Sequence, residues 1–270
     1  SRRASAKTTH VVNTKEEKQQ FDDEDVSARA EENETISAPT SNAFTAITTT
    51  MLGTACYAPG SCETPSAFWQ MLCSGRDSIQ KIPVTRFDVD ALDGTDAELY
   101  VKRGHFVQGV EQFDNAFFGM GSAEAGAIDP HHRVLLEVGY SALHDGGYES
   151  KGDLMGAHVG VFLGFATSSE WGFIQSGRQT RFTPFSNHGA DPSAACGRMS
   201  YLLGLKGPCF PVNTACSSTL VALDAACHNL RLGKCEQALL AGVNLLLHHG
   251  SWAGFCAMKA LSVDGQCKTI

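Results

Sequence analysis

One cysteine stands where a thiol could do chemistry. Cys216 lies in the run Asn213-Thr214-Ala215-Cys216-Ser217-Ser218-Thr219. Pro208 and Pro211 bracket an extended stretch before it. Leu220, Val221, Leu223, Ala226, Cys227 and Leu230 recur at helical spacing after it. The reading is strand, tight turn, helix. A thiol at the first turn of a helix faces unpaired backbone N–H groups and the positive end of the helix dipole, and both favour thiolate over thiol. The small neighbours Thr214, Ala215, Ser217 and Ser218 let a substrate carbonyl approach the sulfur. Backbone N–H groups at the turn are then aimed at the oxyanion that forms. The chemistry expected is acyl transfer to sulfur. A buried, inert thiol is the alternative that these residues alone leave open.

The rivals of Cys216 are weaker. The chain has 10 cysteines, at positions 56, 62, 73, 196, 209, 216, 227, 235, 256 and 267, and no pair has the Cys-x-x-Cys spacing of a zinc site or redox couple. Cys196, Cys209, Cys227 and Cys256 sit in apolar runs, where cysteine acts as a small hydrophobe. The pairs His131-His132 and His248-His249 resemble metal ligands, but adjacent side chains on a helix diverge, so structural or solvent-facing roles are expected and no metal. Gly119-Met120-Gly121 is followed by Glu124 rather than the third glycine of a dinucleotide turn. Neither a Gly-x-Ser-x-Gly elbow nor a phosphate-binding loop is present.

The elements that must position Cys216 alternate between strand and helix. Phe44–Leu52 is β-prone and ends at Gly53. Thr64-Pro65 opens a helix through Phe68, Trp69, Met71 and Leu72, and Gly75 ends it. Residues 76–110 are loop-rich, with Asp93-Gly94-Thr95-Asp96 as a surface excursion. Phe113, Phe117 and Phe118 form an aromatic cluster expected in the core. Asp129-Pro130 starts the next helix, which Gly146-Gly147 stops. Strands are expected at 158–164 and 238–243, and a helix from Asp191-Pro192 to Gly204. Gly233 caps the helix after Cys216. Residues 166–190 lack periodicity, and His248–Lys259 reads as loop or short helix. This alternation implies α/β layers with a buried sheet. Residues 1–42 are polar with one aromatic, Phe21. They read as a disordered or linker segment, with at most a turn or two of solvated helix over Lys15–Asp25. The folded domain is expected over 43–270.

Composition sets outer bounds. The 270 residues are 43% hydrophobic with a formal net charge of −8, which suits a globular core and argues against a nucleic-acid surface. No apolar run approaches the roughly 20 residues needed to span a bilayer. With no signal peptide read, the cysteines are expected reduced and the location cytoplasmic.

At these residues the chain resembles the β-ketoacyl synthase domain of the type I polyketide and fatty-acid synthase family. The family signature Asp-Thr-Ala-Cys-Ser-Ser-Ser-Leu is similar to Asn213–Leu220. Ile128-Asp129-Pro130-His131-His132-Arg133-Val134-Leu135-Leu136-Glu137 resembles Met-Asp-Pro-Gln-Gln-Arg-Leu-Leu-Leu-Glu. Further likeness runs through Cys62–Asp77, Pro83–Asp90, Phe113–Gly119, Gly197–Tyr201, Gly204–Pro208 and Leu261–Thr269. The chain departs from the pattern at Asn213 (aspartate is usual), Thr219 (serine), Cys196-Gly197 (Ala-Asn) and His131-His132 (Gln-Gln).

The resemblance implies a thiolase-like α/β fold in α-β-α-β-α layers, of which this chain supplies the N-terminal half, so its sheet is expected to lack partner strands. It implies that Cys216 takes an acyl group as a thioester from an acyl carrier protein phosphopantetheine or coenzyme A. Decarboxylative Claisen condensation with a malonyl-type extender follows. No tightly bound cofactor is implied. The implied partners are the acyl carrier protein, a second copy in a homodimer paired through the strand before Cys216, and other synthase domains. The family's two histidines and one lysine lie in motifs that none of the 10 histidines here matches, and the 270 residues alone are expected to lack condensing activity. A non-catalytic half-domain for dimerisation or carrier-protein docking is the alternative. A thiolase-like acyltransferase using coenzyme A is a further one.

Overall fold

The computed structural model describes residues 8–15, 48–92, 99–166, 170–178, 183–186 and 188–268. Its main sheet has five strands: β1 (Thr8–Lys15), β2 (Thr48–Cys56), β5 (Val159–Gly164), β6 (Cys209–Val212) and β7 (Gln237–Gly242). Their order across the sheet is β2-β1-β7-β5-β6. The helices that matter here are α3 (Pro130–Asp145), α5 (Glu170–Arg178), α6 (Pro192–Leu203), α7 (Ser218–Arg231) and α8 (His249–Ala257). A two-stranded ribbon of β3 (Gln80–Lys81) and β4 (Arg103–Gly104) lies apart from the main sheet. The remaining helices are α1 (Pro65–Cys73), α2 (Ser122–Ala127) and α4 (Lys151–Leu154).

β5, β6 and β7 run parallel, with Val161 opposite both Cys209 and Leu239. Parallel strands covered on both faces need apolar residues at every position, and all six residues of β5 are buried. Alternation then decides which helix each residue meets. Val159, Val161, Leu163, Leu239 and Ala241 share a core with Leu135, Leu136 and Leu143 of α3 and with Cys196, Met199 and Leu203 of α6. Phe162, Ala238 and Leu240 face the other way, onto Ala222, Ala226 and Leu230 of α7. The result is a helix–sheet–helix sandwich.

Local chemistry sets the helix boundaries. Asp129 caps α3 by accepting the His131 N–H at 2.8 Å, and Asp191 caps α6 by accepting the Ser193 N–H at 2.7 Å. Proline follows each cap, where its fixed φ suits the first turn. Gly204, at φ 69°, takes the left-handed cap of α6. α5 forms within the stretch expected to lack periodicity, and α8 resolves His248–Lys259 largely as helix. β2 runs through Gly53 instead of ending there. Gly53 is needed for a close approach, since a side chain would place its Cβ 2.2 Å from the Gly146 N and 2.5 Å from the Ala142 O. The ladder slips beside it: Val11 pairs with Gly53 and Val12 with Met51, which leaves Leu52 as a bulge.

The N-terminal expectation is corrected in part. Thr8–Lys15 is a strand inside the segment read as disordered or linker, paired with β2 along its whole length and with β7 from His10 to Asn13. Composition misleads here because the eight residues Thr-Thr-His-Val-Val-Asn-Thr-Lys include five β-branched ones, which suit a pleated ladder despite their polarity. The solvated helix expected over Lys15–Asp25 falls, beyond Lys15, outside the described residues, as does the excursion at 93–96. Among the described residues no helix is long and apolar enough to cross a membrane.

Candidate active site

Cys216 sits beyond the C-terminal edge of the parallel strands. β6 ends at Val212, a 3-10 turn occupies Ala215–Ser217, and α7 begins at Ser218. The sulfur therefore lies just ahead of the α-helix and not within its first turn. It is exposed, as are Asn213, Thr214 and Ala215.

The turn is strained and braced. Ala215 has φ 54°, a left-handed conformation that a non-glycine residue takes only where its surroundings enforce it. Asn213 Oδ1 accepts the Ala215 N–H at 3.2 Å. The Ser218 hydroxyl accepts the Thr214 N–H at 2.9 Å and donates to the Ala215 carbonyl at 2.7 Å. The Ser217 hydroxyl donates to the Thr214 carbonyl at 2.8 Å. Each small polar residue around the cysteine thus holds the turn rather than the sulfur. Asparagine at 213 keeps the accepting oxygen that the family's aspartate would offer. Among the described residues no hydrogen bond engages the Cys216 N–H, which leaves it available to an oxyanion.

The sheet places this turn through two glycines. Gly164 ends β5 and Gly242 ends β7. A Cβ on Gly164 would lie 2.5 Å from the Thr219 N and 2.6 Å from its Cα, and one on Gly242 would lie 2.2 Å from the Thr219 Oγ1. The first turn of α7 therefore rests directly on the ends of two strands, with the third strand feeding into it. Ligand sites of open α/β sheets gather at such carboxyl ends.

The other thiols differ. Cys56, Cys62, Cys196, Cys235 and Cys256 are buried, and burial pushes the Cys196 thiol up to about 12. Cys209 is exposed, against the expectation of an apolar interior position, because β6 is the edge of the sheet. Among the described residues no cluster of His, Cys, Asp or Glu could hold a metal ion.

The pair His131-His132 is structural. His131 is buried, and its Nδ1 lies 2.6 Å from Asp129 Oδ1 while its Nε2 accepts the Leu245 N–H at 2.9 Å. That assigns the Nδ1 proton to the bond with Asp129. His132 points elsewhere: its Nδ1 accepts from Arg198 Nη1 at 2.9 Å, and its ring meets Phe165 edge-on. Burial holds His132 down at about 3 against a usual 6.5, helped by the nearby Arg198 charge. A depressed folded value stabilises the fold above the unfolded pKa and loses that stability as pH falls toward the folded one. Going from pH 7 to pH 5 should therefore cost the native protein about 2 kcal/mol through this group. His132→Gln should flatten urea-melt stability over that interval, and an unchanged slope would remove His132 as its cause.

The pairing of Glu170 with Leu247 leaves no mark in the sequence. Glu170 is buried and accepts the Leu247 N–H at 2.7 Å, while Leu246 takes φ 56° between that anchor and the one at His131. Long-range pairing of this kind leaves no local spacing to detect. The segment it fixes borders a cavity of about 600 Å³ lined by Val134, Leu135, Val138, Leu246, Trp252 and Phe255. Cys216 does not line this cavity. Gly242 does, and it also underlies Thr219.

The family model for the β-ketoacyl synthase N-terminal domain matches residues 50–270. The chain belongs to the β-ketoacyl synthase family. This ketosynthase domain is 39% identical over 224 residues to a phenolphthiocerol/phthiocerol polyketide synthase protein from Mycobacterium bovis, covering 82% of this chain and 12% of that protein. It is 40% identical over 225 residues to a mycoketide-CoA synthase from Mycobacterium tuberculosis, covering 82% and 5%. Among solved structures, the ketosynthase from module 6 of the bacillaene synthase of Bacillus subtilis 168 aligns with a TM-score of 0.69 at 33% identity, covering 80% of this chain and 35% of that one. A ketosynthase domain of the oxazolomycin synthase of Streptomyces albus JA3453 aligns at 0.70 and 31%, covering 79% and 37%. The ketosynthase domain here thus spans about a third of the solved ketosynthases and a small part of the curated synthases. The fold expected from the resemblance, the N-terminal half of a thiolase-like α/β architecture, is the one observed.

Proposed function

We propose that this ketosynthase domain loads an acyl group onto Cys216 as the first step of chain extension in a polyketide synthase. The observation that carries the reading is an exposed cysteine on a strained, braced turn with its own N–H unengaged, set at the carboxyl ends of three parallel strands. The Cys216 thiolate attacks the carbonyl of an acyl thioester borne by an acyl carrier protein phosphopantetheine or by coenzyme A. The oxyanion that forms takes the Cys216 N–H. Collapse breaks the carrier C–S bond, and the carrier thiolate leaves and takes up a proton. Extension then releases carbon dioxide from a malonyl-type thioester, and the carbanion displaces the Cys216 sulfur from the acyl carbonyl. No side chain among the described residues hydrogen-bonds the Cys216 sulfur. The groups that assist decarboxylation are therefore sought in the rest of a complete ketosynthase. The test is intact-mass and peptide mapping after incubation with an acyl thioester of coenzyme A, with the adduct expected on Cys216.

The same reading includes a homodimer. Among the described residues β6 pairs on one side only, with β5, and its other edge has no strand beside it. Large apolar side chains are exposed on it and on the helices flanking it: Phe210 on β6, Tyr201 on α6, and Leu220 and Val221 on α7. An open edge with exposed apolar neighbours suits pairing with a second copy. Leu220→Arg should shift the mass measured by light scattering from dimer to monomer. A wild-type chain that is monomeric at tens of micromolar removes the dimer from the proposal.

A further inference from the structure

The strand that joins the two parts of the sheet is the one the family match leaves out. Residues 50–270 match and contain nearly all of β2 and all of β7, but none of β1. Yet β2 hydrogen-bonds to the sheet only through β1 among the described pairings. β2 also has an anchor of its own, since Gly53 packs against the backbone of α3 at Ala142 and Gly146. Both walls of the slot thus belong to the family domain, about two strand spacings or 9.6 Å apart. A gap of that width with two unpaired strand edges does not stay empty in a folded core.

We infer that the slot between β2 and β7 is a strand-acceptor site, and that Thr8–Lys15 is its exchangeable occupant, supplied by this chain to itself. The site takes a segment of about eight residues, rich in β-branched side chains and running antiparallel to both walls. Thr8–Lys15 meets this description in composition and direction. Its own chain can deliver it without crossing the sheet, because Lys15 pairs with Thr48. Lys15 and Thr48, the described residues on either side of 16–47, are partners at one end of the sheet. Recognition is by main-chain ladder on both sides, the mode by which sheets accept added strands.

Val12→Pro tests this. Val12 pairs with Met51 on one side and Ala238 on the other, and proline removes its N–H and is not tolerated in a central strand. Amide exchange over Thr50–Cys56 and at Ala238 and Leu240 should accelerate about 100-fold or more, while α6 keeps its protection. A synthetic peptide of residues 6–17 should restore the protection, and the same peptide carrying Val12→Pro should not. The unmodified chain should bind the native peptide about tenfold or more weakly than the variant does, because its tethered strand competes at an effective concentration near millimolar. Unchanged exchange in the variant would overturn the placement of the strand. Lost protection that the native peptide fails to restore would overturn the acceptor site. Should the variant unfold throughout, the unmodified chain decides in mild denaturant: β1 and β2 amides are expected to open together before those of β5. If β1 opens only with β5, it is a fixed strand and the inference fails.

Discussion

Cys216→Ala should abolish acyl loading while leaving the fold intact. The substitution removes an exposed sulfur from a turn whose hydrogen bonds come from Asn213, Ser217 and Ser218, so nothing that holds the turn is lost. Removing a nucleophile that acts with oxyanion donors costs about 10⁴ to 10⁶ in rate. Three other cysteines are exposed, Cys73, Cys209 and Cys267, and they supply the control. An exposed thiol exchanges with thioesters slowly and without selection. Each of these to alanine should leave the loading rate unchanged, whereas Cys216→Ala should leave only scattered modification of the others. Quantitative peptide mapping after reaction with an acyl coenzyme A reads the difference. Label that persists at the wild-type rate in the Cys216→Ala chain would reject Cys216 as the acceptor.

Much of this site could be read from residue order because its parts are local. The run from Pro208 to Gly233 carries its own strand, turn, helix face and cap. Of the residues read at helical spacing, Ala226 and Leu230 are buried against the sheet and Leu223 and Cys227 are half-buried, whereas Leu220 and Val221 are exposed. The dipeptides Asp129-Pro130 and Asp191-Pro192 marked helix starts for the same reason: cap and first turn are adjacent in sequence. What stayed hidden depends on distant partners. The strand at Thr8–Lys15 is polar and lies in a stretch with a linker's composition, and its five β-branched residues become a strand because β2 and β7 offer ladders on both sides. Glu170 looks like any helix-starting carboxylate until Leu247 comes to it. The expectation for Cys216 erred by a small displacement. Spacing placed it in the first turn of the helix, whereas the 3-10 turn and the positive φ at Ala215 set it just before. Hydrophobic periodicity reports where a helix faces, not where its first hydrogen bond closes.

That displacement makes the seat of α7 the second determinant of loading. Gly164→Ala and Gly242→Ala should both impair it, for different reasons. At Gly164 the new methyl would meet the Thr219 Oγ1 at 2.5 Å but also backbone atoms, the Thr219 N at 2.5 Å and Cα at 2.6 Å, so the first turn of α7 must move. At Gly242 the severe contact is with the Thr219 hydroxyl alone, at 2.2 Å, while Cβ and Cγ2 lie at 3.4 Å. Overpacking of this kind costs about 1–3 kcal/mol in stability. A misplacement near 1 Å at the reacting sulfur costs about 100-fold in rate. Removing the hydroxyl separates the two. Thr219→Ala should return Gly242→Ala to within about threefold of the Thr219→Ala rate and recover most of its stability, since the remaining contacts are tolerable. The same replacement should leave most of the Gly164→Ala impairment in place, because two of its three severe contacts are with the main chain at Thr219 N and Cα. Urea melts and single-turnover loading on the single and double variants measure this. Equal rescue of both glycine variants would mean that the strands support α7 through the Thr219 side chain. Unimpaired loading in both single glycine variants would mean that the turn carrying Cys216 is held by its own serines and asparagine, independently of the sheet beneath it.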